Sequence, residues 1–131
     1  MIAKKILIDT NVILRLLLSD VKEQAMVSEK IFRRINKGEA KGILSILVIN
    51  EIVNVLDNFY NVPKGKIINS ILEIISIKNI EILEINKKEL IQILNNALRW
   101  GVDFTDAYLL WTGKKDNQNI TSFDKKLLKN L

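Results

Sequence analysis

Four short, isoleucine-rich runs along this chain each sit beside segments of helical period, and that alternation limits the fold more than any other feature. Runs of roughly five apolar or β-branched residues bounded by turn signals read as strands, while apolar positions recurring every three to four residues read as helices. On this basis strands are expected over 4–9, 41–45, 79–85 and 119–123. Helices are expected over 11–18, 21–37, 47–60, 64–77, 87–99 and 104–115, with a final helical turn at 125–130. Asp20 is placed to cap the helix over 21–37, Gly38 and Gly101 to end helices, and Pro63 to stand in a first helical turn. Strands separated by helices form a parallel sheet. The expected class is therefore α/β, a three-layer α/β/α sandwich with a central parallel sheet. A chain of 131 residues has room for one such domain, spanning 1–131.

The opening segment "KKILIDTNVILRLLL" poses the functional question. Ile6, Leu7 and Ile8 look like buried strand, and the leucines from Leu14 to Leu18 look like buried helix, yet Asp9, Thr10 and Asn11 stand between them. One helix needs one N-cap, and three candidates are present. In parallel α/β sheets ligands bind beyond the carboxyl ends of the strands, which is where Asp9 falls. Three further carboxylates stand out. Glu51, in "LVINEIVNVLDNF", falls at the edge of an apolar helical face, a position shared by many ordinary surface residues. Asp106, in "WGVDFTDAYLLW", lies between Leu109 and Leu110 on the wheel. Asp103 is placed to cap that helix, so Asp106 has no such duty. Asp124, in "NITSFDKKLLK", is placed to cap the last turn, or to stand beside Asp9 if the first and fourth strands are neighbours.

Composition narrows the chemistry. There is no cysteine and no histidine, which excludes disulfides, thiolate nucleophiles, imidazole bases and zinc sites built on them. What remains is carboxylate, hydroxyl, Lys, Arg and Tyr chemistry, and carboxylates favour hard ions such as Mg2+ or Mn2+. Carboxylates gathered without a cation would repel one another, and a divalent metal removes that cost. The net charge of +5, with clusters at Lys30, Arg33, Arg34, Lys37 and Lys41 and at Lys125, Lys126 and Lys129, suits a nucleic-acid partner, although a solvated lysine-rich surface has the same composition. Trp100 and Trp111 have the chemistry to stack bases, but their apolar neighbours favour core packing. Met1 leads straight into the first strand-like run, and no apolar stretch approaches the roughly 20 residues of a membrane span. A cytoplasmic protein with no membrane contact is expected.

Taken in order, "LIDTNVIL", "SILVINEIVNVL", "DFTDAYLL" and "ITSFDKKL" resemble the four acidic motifs of the PIN domain, in particular those of VapC-like toxins of type II toxin–antitoxin systems. The resemblance runs through nearly the whole chain and places the four acids at Asp9, Glu51, Asp106 and Asp124. It implies a Mg2+- or Mn2+-dependent endoribonuclease, usually a homodimer, restrained by a cognate antitoxin, with products carrying 5′-phosphate and 3′-hydroxyl ends. Asp9, Asp106 and Asp124 would hold metal, Glu51 would bind a further ion or a water, and Thr10, Asn11 and Ser122 would orient the carboxylates. The chain stops soon after the fourth motif, where many relatives add an edge strand. Other readings use the same residues differently. A haloacid-dehalogenase-type phosphatase needs a second acid where Asn11 stands. A receiver-type signalling domain needs an early acidic pair that this chain lacks. A catalytically inactive PIN-like module binding RNA or protein is the remaining alternative, although every acidic position is filled.

Overall fold

A computed structural model describes residues 4–131. It is an α/β fold in which, among those residues, three parallel strands lie among seven helices. The chain divides into two compact units, Met1–Lys87 and Lys88–Leu131.

The first unit holds the sheet. Its strands β1 (Lys4–Leu7), β2 (Ala40–Leu44) and β3 (Ile80–Ile82) pair in the order β1-β2-β3. Ile6 lies opposite Gly42, and Gly42 in turn lies opposite Ile80. The crossovers are helical pairs: α1 (Thr10–Leu18) with α2 (Lys22–Asn36), then α3 (Ile46–Asn58) with α4 (Lys64–Ile75). Strand residues alternate between faces. Ala40, Gly42 and Leu44 of β2 are buried, along with Ile8 and Ile80, on the face that meets Ile35 of α2. Gly42 has a packing reason to be glycine. A Cβ there would stand 2.6 Å from Ile80 Cδ1 and 2.9 Å from both Ile35 Cδ1 and Ile8 Cδ1. The opposite face carries Leu7, which is 69% exposed rather than buried as expected, and the cross-strand pair Lys41–Glu81 at 3.1 Å. A bound Lys41 holds the Glu81 carboxyl below its ordinary range.

Isoleucine fills the core of this unit. Ile13, Ile35, Ile49, Ile52, Ile67, Ile68, Ile71, Ile75 and Ile80 are all essentially inaccessible. On α4 the buried set Ile67, Ile68, Ile71, Ile74 and Ile75 follows helical spacing, which buries one stripe of the helix. Pro63 stands at the N-cap position, one residue before the helix it was expected to open from within. Ser45 caps α3 by accepting from the Leu47 amide, and Glu84 accepts from both the Ser45 hydroxyl and the Ile46 amide. Gly38 ends α2 with φ of +81°, the left-handed conformation that glycine adopts at least cost. Asp20 does not cap α2; Val21 occupies that position. The Asp20 carboxylate instead accepts from Arg15 at 2.6 Å and from the Tyr60 hydroxyl at 3.4 Å, tying the α1–α2 turn to the end of α3. The ion pair across the turn replaces the cap.

The second unit is helical: α5 (Lys87–Trp100), which begins at the boundary residue, α6 (Phe104–Lys115) and the short α7 (Lys125–Lys129). Helix α6 has the bounds expected from sequence. The strand expected over 119–123 is not formed, and residues 118–124 run as a loop. Asn117 turns the backbone at φ of +51°, the Gln118 amide donates to the Gly113 carbonyl, and Ile120 seats its side chain over Gly113. A Cβ at position 113 would lie 2.9 Å from Ile120 Cδ1 and 3.2 Å from the Gln118 carbonyl oxygen. The β-branched Ile120 thus serves as a loop anchor instead of joining a ladder. No helix among the described residues is long and apolar enough to cross a membrane.

Candidate active site

Asp9 follows Ile8, whose amide still bonds to the Ile43 carbonyl, so the sheet register reaches to within one residue of the carboxylate. Asp9 occupies the N-cap position of α1 with extended backbone, but its side chain makes no capping hydrogen bond. The exposed carboxylate therefore lies at the carboxyl end of β1 without serving the helix it precedes. Thr10 is 3% exposed, and its hydroxyl donates to Oε2 of Glu51 at 3.1 Å. This bond crosses from α1 to α3 and joins the first and second motifs within one unit. Thr10 thus holds Glu51, the acid 41 positions away, whereas a role beside its neighbour Asp9 was the simpler expectation. Asn11 lines a cleft between α1 and α2 together with Arg15, Glu23 and Val27, on the flank of α1.

In the second unit Asp106 sits half-buried in the first turn of α6, as the wheel suggested, with Ala107 and Leu110 buried beside it. Asp103 holds the N-cap position, and its carbonyl accepts from the Ala107 amide, but its side chain makes no capping bond. The structural duty that set Asp103 apart from the site is thus missing. Asp124 does cap α7: Oδ1 accepts from the amides of Lys126 at 2.9 Å and Leu127 at 3.4 Å. Ser122 accepts from the Asp124 amide at 2.9 Å, so its hydroxyl fixes the backbone of Asp124 instead of its carboxylate. Among the described residues, neither unit by itself gathers three acidic side chains into a metal-holding group.

The basic residues are arranged differently from the sequence clusters. Arg33 pairs with Glu29, Arg34 with Glu39 and Lys41 with Glu81, so much of the first cluster is offset by carboxylates. Trp100 and Trp111 are half-buried, each with a lysine ammonium over its ring.

Asp9 follows the first strand, Thr10 beside it holds Glu51, and Asp106 and Asp124 stand at the starts of α6 and α7, in a protein of the α/β class. The PIN domain family model matches residues 6–130, across both units and all four acids, and the chain belongs to the PIN domain family. PIN domains are in general nucleases that act on RNA and typically use divalent metal ions, so the family makes this a nuclease-type domain. Neither the curated proteins nor the solved structures contain a match to the chain.

Proposed function

We propose that this chain is a Mg2+- or Mn2+-dependent endoribonuclease, acting as one PIN-like domain over 1–131, with Asp9, Glu51, Asp106 and Asp124 as its acidic site. The observation that carries this reading is the first motif: an Asp9 side chain that caps nothing, next to a buried Thr10 whose hydroxyl holds Glu51. A purely structural Asp–Thr–Asn turn would use its carboxylate on the helix amides.

The donor set fits a hard divalent ion, because it consists of carboxylate oxygens with neither imidazole nor thiolate in the chain. Asp9, Asp106 and Asp124 would hold the metal. When bound, the ion supplies the positive charge that acidifies an attacking water and screens the scissile phosphate. The protein's own groups do the positioning. Thr10 occupies Oε2 of Glu51, so Oε1 is the oxygen offered to a water or a further ion. Ser122 and the amides of α7 fix the backbone and Oδ1 of Asp124. Asn11, two residues after Asp9, would help to orient the acidic side chains. The biological role consistent with the motifs is that of a cytoplasmic VapC-like toxin, a homodimer held in check by a cognate antitoxin.

Cleavage of labelled RNA with Mg2+ or Mn2+ tests the chemistry. Asp9→Asn is expected to abolish metal-dependent cleavage while leaving circular dichroism and melting behaviour intact, and full activity in that variant refutes the assignment. Co-purification of the chain with the product of an adjacent small reading frame, and suppression of cleavage by that product, tests the toxin role.

A further inference from the structure

Between α5 and α6 the second unit opens a groove of about 600 Å3, within the size range of small-ligand sites. Nothing in the acidic motifs accounts for it. Its walls carry Arg99, Lys114 and Lys115, with the indoles of Trp100 and Trp111 and the amide of Asn96. Lys114 Nζ lies 4.8 Å from the centre of the Trp100 ring, and Lys115 Nζ lies 4.7 Å from that of Trp111. Glu89 is the one carboxylate in the lining, and it pairs with Lys115 at 2.9 Å, which holds the ammonium pKa above its ordinary value. Three cations therefore face one acid.

We infer that this groove is an accessory binding site for single-stranded RNA. Bases would stack on Trp100 and Trp111, and phosphates would be neutralised by Arg99, Lys114 and Lys115. The combination selects the ligand. Cations alone would suit any polyanion, and indoles alone would suit any apolar surface. Cations interleaved with half-buried indoles that line an open groove suit a chain that alternates phosphates with planar rings. A duplex hides its base faces, which favours an unpaired strand. An acidic peptide would satisfy the cations and leave both rings without a stacking partner. The lysine–indole contacts are partly exposed and weak, so a lysine that moves from ring to phosphate vacates a π-face for a base. Helix α6 links the groove to the chemistry, since Asp106 in its first turn lies roughly 12 Å along the axis from Lys114. A strand held in the groove is anchored on the helix that carries one of the acids. The choice of RNA over another polyanion rests on the ribonuclease reading above.

The test measures binding without cleavage, by fluorescence anisotropy of a labelled short oligouridine on the full chain in EDTA. Trp111→Leu is expected to weaken binding by roughly five- to 150-fold, the range for loss of a base stack. Arg99→Gln and Lys114→Gln should each lower the steepness of log affinity against log salt by about 0.7. If Trp111→Leu does not fold, judged by its melt, the two glutamine variants decide. Unchanged affinity and salt dependence in those variants overturns the inference. So does tighter binding of polyglutamate than of oligouridine, which would make the groove a peptide site. Groove-dependent binding together with failure to cut any RNA with Mg2+ or Mn2+ would overturn the ribonuclease reading and leave the groove intact.

Discussion

The Thr10–Glu51 hydrogen bond is unequal in its exposure, and that inequality makes an unusual mutational prediction. The threonine is buried and the glutamate is exposed. When Thr10→Val removes the donor, water can rehydrate the Glu51 carboxylate, so the loss is that of an ordinary net hydrogen bond, about 0.5–1.5 kcal/mol. When Glu51→Ala removes the acceptor, the Thr10 hydroxyl is left inside without a partner at a cost of about 1–3 kcal/mol. With both changed, the buried position holds a methyl in place of a hydroxyl and nothing is left unsatisfied. Glu51→Ala should therefore be nearly neutral in the Thr10→Val background, giving a coupling of about 1 kcal/mol or more between contacting residues. Using the same Glu51→Ala change in both backgrounds cancels its effect on helix propensity. Urea unfolding of the four proteins without metal, compared by midpoint at constant slope, measures the cycle. Additive effects, or a larger cost for Thr10→Val than for Glu51→Ala, would show that the bond does not hold Glu51. In cleavage assays Thr10→Val should lower activity more than Thr10→Ser, since serine keeps the donor.

Gly42→Ala should destabilise the first unit. Crowding three isoleucine methyls costs about 1–3 kcal/mol, partly offset by about 0.5–1 kcal/mol from replacing a strand glycine, and an unchanged unfolding midpoint would refute the close packing at that position. Arg15 holds the Asp20 carboxyl below its ordinary range through their hydrogen bond. A depressed acid stabilises the fold at pH values above its unfolded pKa and loses that contribution as pH falls through the folded value. Melting temperatures of wild type and Asp20→Asn should therefore differ at neutral pH and converge below about pH 4. A constant difference across that range would contradict the pairing. The Lys115 ammonium, raised by Glu89, runs the other way. Its contribution is complete below the unfolded lysine pKa and fades as pH climbs past the folded value, so Glu89→Gln and wild type should converge in melts taken at strongly alkaline pH.

Much of the fold was legible because its signals are local. Helical period places α3, α4 and α6 within two residues of their ends, and glycines at 38 and 101, both with positive φ, mark turns that a left-handed residue must make. What was not legible depends on distant partners. Asp20 looked like a cap from its position, but Arg15 five residues before it and Tyr60 forty residues after it claim its carboxylate. Residues 119–123 carry strand-like side chains, yet Phe123 is fully exposed at 103% and Ile120 is committed to Gly113. Leu7 is apolar, but the pleat turns it to the face opposite Ile8. Each acid of the candidate site was visible in its motif, whereas the Thr10–Glu51 link spans 41 positions and carries no sequence signature. The tryptophans were read as core because their immediate neighbours are apolar. In the structure both are half-buried, with the lysines three and four positions after Trp111 lying over the two rings.

The two amides that converge on a single oxygen of Asp124 have a practical outcome for anyone dissecting this protein. Alanine there would remove the cap, at about 0.5–2 kcal/mol, and delete the charge in one stroke, so a loss of activity would not separate the two. Asparagine presents the same oxygen to the same amides and caps about as well, while carrying no charge. At this position the amide is the instrument that separates architecture from electrostatics.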